Sequence, residues 1–468
     1  MINPYIFRAY DIRGSSLSDI NPINAYKIGF CFSKMHVNNT KHLICVGQDG
    51  RLTSPSLYDA LVNGLIDGGA DIISIGIVPT PALYFADKKF KPQASIMITG
   101  SHNAKDDNGF KMVSEGKSFF GEQIKNLLGL IQKTNWDNNS FLKSSNNNDF
   151  KIIDRGDIVK EIDINKEYTS RLLEGLKITP NLKVAWDCGN GSSGIITEML
   201  KERLPNNNIV INSKIDGNFP NHHPDPSVLE NLKQLIDITI SENCDFGIAF
   251  DGDGDRIGIV TNKGEMLYGD QILCIFAKDI LASNRGESIV MDIKASQAIL
   301  EQIKLYGGNP IMWKTGHPLI KSKMLESNAI LAGEMSGHIF FADKYYGYDD
   351  GIYAAVRLLE LLSRSQDSFD AILSKLPKTY NTPEIRISVT EARKFEIIDE
   401  IKKQMNNDEI DFIDIDGIRV NTKNGWWLLR ASNTGAELIA RCESSSFKGL
   451  GNLEADLAKL LAIHGLMY

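Results

Sequence analysis

Three carboxylates within five residues, Asp251-Gly252-Asp253-Gly254-Asp255, follow the apolar run Phe246–Phe250 directly and lead into Arg256. Acidic groups that close repel one another unless a cation neutralises them, and hard oxygen ligands with open positions suit Mg²⁺. An acidic turn closing a hairpin is the structural alternative. A calcium-binding EF-hand is excluded, because the twelfth loop position is Asn262 and no bidentate glutamate stands there. A second apolar run, Ala94–Ile98, stops in Thr99-Gly100-Ser101-His102-Asn103, with Lys111 further on. Ser101 would stand at the end of a buried strand, where open α/β sheets place their chemistry. From these residues alone, a Gly-Ser turn closing a strand fits better than a nucleophile. Ser101 lacks the Gly-x-Ser-x-Gly elbow of a serine hydrolase, and the adjacent His102 is badly placed to be its base. His102 reads equally as a turn residue making a local hydrogen bond.

Other polar loops carry matching chemistry. Tyr10-Asp11-Ile12-Arg13-Gly14 offers a guanidinium able to grip a phosphate in two places, though taken alone a surface strand edge with solvated arginines fits it better. Asp292-Ile293-Lys294, Lys314-Thr315-Gly316-His317, Gly333-Glu334-Met335-Ser336-Gly337-His338 and Arg430-Ala431-Ser432-Asn433-Thr434-Gly435 each follow an apolar segment. A nucleophile, a carboxylate metal loop and several anion clamps are the parts phosphoryl transfer needs, since that chemistry depends on positioning and charge neutralisation. A haloacid-dehalogenase-type phosphatase would carry Thr or Val where Asp255 stands, which counts against that class.

The elements that hold these loops alternate. Strands at 42–47, 71–77 and 94–98 are separated by helices, one opened by Ser54-Pro55 as N-cap and first helical residue and one by Pro79-Thr80-Pro81. This alternation implies parallel βαβ units. It recurs after an Asn/Ser-rich connection over 135–148 and a helix expected over 158–173, with strands at 182–186, 209–211 and 246–250 and a helix over 229–240. It recurs again with strands at 288–291, 310–313 and 329–332. Beyond Pro377 short strands are expected at 385–389, 412–415, 417–420, 426–430 and 438–441, with few helices until one over 453–461. The expected fold class is α/β, three similar domains with mixed sheets plus a smaller α+β C-terminal domain, with boundaries at 1–155, 156–264, 265–376 and 377–468.

Composition bounds the setting. The 468 residues are too many for one core, and a formal net charge of −8 disfavours nucleic acid or an anionic membrane as partner. Six scattered cysteines without a Cys-x-x-Cys pair fit reduced thiols. No apolar stretch is long enough to span a bilayer, and the N-terminus lacks the regions of a signal peptide. A cytoplasmic protein is expected.

Taken in order, the Tyr10–Gly14, Thr99–Asn103, Asp251–Arg256, Gly333–His338 and Arg430–Thr434 motifs resemble those of the α-D-phosphohexomutase superfamily, and most those of its bacterial phosphomannomutase/phosphoglucomutase branch. The resemblance spans the whole chain. It implies a four-domain fold around a central cleft and a mutase interconverting hexose 6-phosphate and hexose 1-phosphate through a hexose 1,6-bisphosphate. It implies Ser101 as the phosphoserine, and Asp251, Asp253, Asp255 and a phosphoserine oxygen as Mg²⁺ ligands. Lys111 and His338 become proton-transfer candidates, with Arg13 and His102 beside the transferring group. Glu334 and Ser336 would hold sugar hydroxyls, Arg430, Ser432, Asn433 and Thr434 the phosphate that is not reacting, and Tyr10, Arg256, Lys294 and His317 further cleft positions. The implied partner is a phosphosugar, for a monomer or weak dimer. Met335 resembles the mannose- and glucose-handling subgroup, with an aminosugar mutase as the alternative. A non-catalytic phosphosugar-binding relative is a further alternative, disfavoured by the intact Ser101, triple aspartate and Lys111. Ala104 and Gly435-Ala436 stand where the family usually has proline, which leaves the stiffness of both loops open.

Overall fold

The structure, a computed structural model, describes residues 2–36, 42–136, 155–179, 181–432 and 435–466. The Asn/Ser-rich connection lies mostly outside these residues, as do Asn433 and Thr434. The described chain divides into two compact units, one of residues 1–269 and 336–370, the other of residues 270–335 and 371–468.

The first unit holds two mixed sheets. In one, Ala70–Ile77, His42–Gln48 and Ala94–Ile98 run parallel, and Asp107–Ser114 then pairs antiparallel with Ala94–Ile98. In the other, Asn207–Ile211, Lys183–Asp187 and Phe246–Phe250 run parallel, and Ile257–Thr261 pairs antiparallel with the last. The second unit repeats the parallel part with Asn309–Trp313, Ser288–Asp292 and Leu331–Gly333. In all three the first strand in sequence lies centrally and the third beside it. The loops carrying Ser101, Asp251 and Glu334 each leave that third strand. One topology used three times therefore delivers three functional loops from equivalent places. The C-terminal sheet is antiparallel, with Gly425–Ala431 between Ile418–Thr422 and Glu437–Ser444.

The strands that feed the site are buried on both faces, which is why Ala94–Ile98 and Phe246–Phe250 read as continuous apolar runs rather than alternating ones. All six cysteines are buried and none is in a disulfide. Among the described residues no helix is long and apolar enough to cross a membrane.

Several local expectations are corrected. Residues 158–173 are not one helix: Ile158–Glu161 is an exposed edge strand parallel to Ala70–Ile77, and the helix is only Asn165–Leu172. Ser54 is the first helical residue rather than the N-cap, and its hydroxyl donates to Asp49 Oδ1 at 2.6 Å. The segment at 229–240 starts as a 3₁₀ turn, Leu229–Leu232, before the helix Lys233–Ser241. Residues 412–415 form no strand beyond a single bridge from Ile413 to Arg419. The C-terminal region gains a long helix, Glu391–Asn407, capped by Thr390 and packed through Ile397, Ile398, Ile401 and Met405.

Candidate active site

In the first unit Ser101 is buried and has a left-handed backbone, φ 50°. Its hydroxyl donates to Asp251 Oδ2 at 2.9 Å and lies 3.2 Å from His102 Nδ1. A non-glycine residue in this region costs about 1–3 kcal/mol and persists only when its surroundings enforce it. Arg51 does so. Its guanidinium donates to the carbonyls of Ser101 (2.8 Å), Asn103 (2.7 Å), Ala104 (2.5 Å) and Asp107 (2.9 Å). Asp49 completes the brace, accepting from Gly100 N at 3.1 Å and Arg51 N at 3.0 Å. The loop is thus pinned through its carbonyls, including that of Ala104, without a proline.

The triple-aspartate loop lies against the serine loop. A Cβ on Gly252 would come 2.5 Å from the Ser101 carbonyl oxygen, so only glycine permits this approach. Asp251, Asp253 and Asp255 are all fully buried, and one ligand atom from each lies within 4.8 Å of the others. Lys111 Nζ donates to Asp253 Oδ2 at 2.7 Å and also to Asp255 Oδ2. Asp253 Oδ1 and Asp255 Oδ1 are buried without a hydrogen-bond partner. Buried carboxylate oxygens in that condition fit a hard divalent cation.

The charge states diverge. Burial, then the neighbouring Asp253 and Asp255, push the Asp251 carboxyl well above its usual range. Burial also opposes ionisation of Asp253, but the Lys111 charge and hydrogen bonds from Lys111 and Thr80 outweigh it and hold it below. Burial disfavours the Lys111 ammonium, yet the three aspartates raise it above an ordinary lysine. The partly buried His102 is held well below its ordinary value by desolvation and by the cations Arg256 and Arg13, so it is a neutral imidazole.

His338 is brought in by a backbone bridge to Arg256. Arg256 Nε donates to His338 Nε2 at 3.0 Å, while Nδ1 lies 3.2 Å from Asp349 Oδ2 and 3.5 Å from Asp255 Oδ1. Arg13 spans Asn103 Oδ1 and Asp11 Oδ2, both at 2.7 Å. Ser101, His102, Lys111, Arg13, Arg256, His338 and the aspartates therefore form one cluster. Tyr10 lies half-buried in the bend before Ile12–Ser15, and Ser336 is partly exposed.

The second unit holds another group. Lys294 Nζ lies 3.3 Å from Glu384 Oε2 and 3.8 Å from Asp292 Oδ2. Lys294 chiefly, together with Arg386 and Arg430, holds the Glu384 carboxyl down at about 2. Burial pushes the Asp292 carboxyl up to about 7 despite the nearby Lys294 charge. Arg430 Nε donates to Asp416 Oδ2 at 3.0 Å, and Glu334 Oε1 accepts from Gly316 N at 2.6 Å beside the half-buried His317. The Arg430–Gly435 loop is held by Lys394, whose ammonium donates to the carbonyls of Ser432 (2.7 Å) and Gly435 (3.0 Å). Asn433 and Thr434 fall outside the described residues.

Arg51, Asp349, Asp416 and Lys394 escape a motif reading. Their partners are backbone groups or side chains outside their own local motif, and the sequence hint is Asp49-Gly50-Arg51 closing a buried strand.

The sequence matches the phosphoglucomutase/phosphomannomutase alpha/beta/alpha domain I over residues 4–138, domain II over 166–264, domain III over 268–380 and the C-terminal domain over 384–460. A phosphomannomutase/phosphoglucomutase of Pseudomonas aeruginosa is 42% identical over 449 residues, covering 96% of this chain and 94% of that one. The chain belongs to the phosphoglucomutase/phosphomannomutase family. A phosphoglucomutase of Neisseria gonorrhoeae is 39% identical over 443 residues, covering 94% and 93% of the two chains. Among solved structures, a phosphoglucomutase/phosphomannomutase family protein of Burkholderia thailandensis aligns over 100% of both chains, with a TM-score of 0.88 and 36% identity. Four family domains, three α/β and one C-terminal, match the expected fold class.

Proposed function

We propose that this enzyme is a phosphohexomutase interconverting hexose 6-phosphate and hexose 1-phosphate, with mannose, glucose or both as its sugars. The observation that carries the reading is Ser101: a buried hydroxyl bonded to Asp251, braced in a left-handed conformation against a triple-aspartate loop.

Phospho-Ser101 gives its phosphoryl group to the free sugar hydroxyl. The Oγ–P bond breaks, a sugar O–P bond forms, and the sugar becomes a 1,6-bisphosphate. After that intermediate turns end for end, Ser101 Oγ takes back the other phosphoryl group. Asp251, Asp253 and Asp255 would hold Mg²⁺, which when bound supplies Lewis-acid charge beside the phosphoserine oxygen. Arg13 and Arg256 steady the anionic group. Lys111, bonded to Asp253 and Asp255, supplies positive charge beside the transferring group and is one of two proton-transfer candidates. His338 is the second candidate: its Nε2 accepts from Arg256 Nε, so that nitrogen must leave Arg256 before it takes the sugar proton, while its Nδ1 faces Asp349 and Asp255. His102, a neutral imidazole 3.2 Å from Ser101 Oγ, orients that hydroxyl. Glu334 and Ser336 would select sugar hydroxyls; Lys294, His317, Arg430, Ser432, Asn433, Thr434 and Tyr10 would bind the rest of the substrate. The four domains at 1–155, 156–264, 265–376 and 377–468 and a cytoplasmic setting belong to the same proposal.

The test is ³¹P NMR of the protein with Mg²⁺, mannose 1-phosphate and a trace of glucose 1,6-bisphosphate. Formation of the 6-phosphate is expected; inorganic phosphate without it would show a phosphatase, and no change would show a binding protein. Parallel runs with glucose and glucosamine 1-phosphates rank the sugars.

A further inference from the structure

We propose that Asp416 is a positioning residue that ties the phosphate-gripping arginine to the sugar-recognising loop. The roles of Arg430 and Glu334 in this rest on the mutase reading. Asp416 Oδ2 accepts from Arg430 Nε at 3.0 Å and also from the backbone N of Thr315 at 3.1 Å. The next residue, Gly316, donates its backbone N–H to Glu334 Oε1 at 2.6 Å. A short path therefore runs from Arg430 through Asp416 and the successive backbone N–H groups of Thr315 and Gly316 to Glu334.

The local backbone is built to keep Asp416 there. Gly417 has φ +86°, and a Cβ on it would sit 2.4 Å from the Leu429 carbonyl oxygen and 2.6 Å from Arg430 Cβ. That tight turn presses Asp416 against the strand carrying Arg430. Electrostatics supply the reason for the contact. Lys294 and Arg430 are mutually repelling buried cations, and Glu384 offsets the first as Asp416 offsets the second. The arginine side chain is 5% exposed and that of Asp416 17%, so the pair is shielded from water and its geometry is firm. Holding the guanidinium by Nε fixes its plane before the ligand arrives, which lowers the ordering cost of binding.

The test compares wild type, Asp416→Asn and Asp416→Glu, each also on an Arg430→Ala background. Steady-state kinetics and calorimetric binding use glucose 1-phosphate, and amide hydrogen exchange is read at Thr315 and Gly316. Asp416→Asn should raise KM and Kd about tenfold, with kcat changing less than about threefold. It should also speed exchange at Thr315 and Gly316. On the Arg430→Ala background the same change should add less than about threefold, since coupled residues are non-additive. Asp416→Glu keeps the charge and should recover most of the affinity, which separates positioning from failure to fold. An unchanged KM and Kd, unchanged exchange, or the same tenfold factor on the Arg430→Ala background would overturn the proposal. A wild type that neither binds nor turns over glucose 1-phosphate would refute the functional reading and this one with it.

Discussion

Arg51→Met isolates the brace on the serine loop, because it keeps an apolar stem of similar length and removes the guanidinium. Four carbonyls lose their donor: those of Ser101, Asn103, Ala104 and Asp107. A hydrogen bond from a charged donor contributes about 1.5–3 kcal/mol. The bonds are not additive, and the Asn103 and Ala104 carbonyls lie near solvent and can turn to water. The loss that matters is at Ser101, whose carbonyl is buried and whose left-handed backbone costs about 1–3 kcal/mol to hold. Removing about 2–3 kcal/mol of support against that strain moves the loop equilibrium by roughly 30- to 150-fold. Where the competent conformer is favoured about tenfold in the wild type, that shift cuts its population by about 4- to 15-fold, and kcat should fall by that factor, with KM for the sugar phosphate nearly unchanged. The assay couples glucose 6-phosphate formation from glucose 1-phosphate to a dehydrogenase at saturating Mg²⁺ and glucose 1,6-bisphosphate. Arg51→Lys, a point charge able to reach fewer carbonyls, should fall between the two. A kcat within twofold of wild type in a folded Arg51→Met protein would refute the claim that Arg51 sets the conformation of Ser101.

Three further outcomes follow from the same geometry. Gly252→Ala forces a methyl against the Ser101 carbonyl oxygen and should cut kcat more than about tenfold, measured in the same coupled assay. Lys111→Met strands the Asp253 and Asp255 carboxylates and should lower stability by about 3–5 kcal/mol without metal; in thermal melts, added Mg²⁺ should raise the variant's midpoint more than the wild type's. His222 is desolvated, but its 2.8 Å contact with Asp187 outweighs that and raises its pKa in the folded state. Its stabilisation is therefore complete below the unfolded value of about 6.5 and fades as pH rises through the higher folded value. His222→Gln should lower the melting midpoint more at pH 6 than at pH 9, and a pH-independent difference would contradict this.

What the sequence disclosed follows a physical division. The loops bearing Ser101, Asp251 and Glu334 were legible because each ends a strand whose apolar run is continuous, and because their chemistry is written in adjacent residues. Arg51 and Lys394 were not, since each acts on backbone carbonyls, and any residue type supplies a carbonyl. Asp416 was hidden for a related reason: its meaning depends on a turn at Gly417 that places it against Arg430. The strand Ile158–Glu161 reads as helix in the sequence because it is exposed along its length and owes its conformation to pairing with Ala70–Ile77. The helix Glu391–Asn407 is a different case. Its signal, Thr390 followed by apolar Ile397, Ile398, Ile401 and Met405, is present in the chain and was outweighed by the surrounding short strands. The threefold repeat was visible as recurring strand-to-loop transitions, while the shared strand order that explains it emerges only from the sheets.

The most direct test of the central claim follows one phosphoryl group. The protein is incubated with glucose 1,6-bisphosphate and Mg²⁺, freed of ligand, and its peptides are examined by mass spectrometry before and after a single addition of glucose 6-phosphate. One phosphoryl group is expected on the peptide containing Ser101, lost when the sugar is added and recovered in hexose bisphosphate, with no turnover in Ser101→Ala. Turnover with an unmodified Ser101, or with the phosphoryl group on another residue, would contradict it.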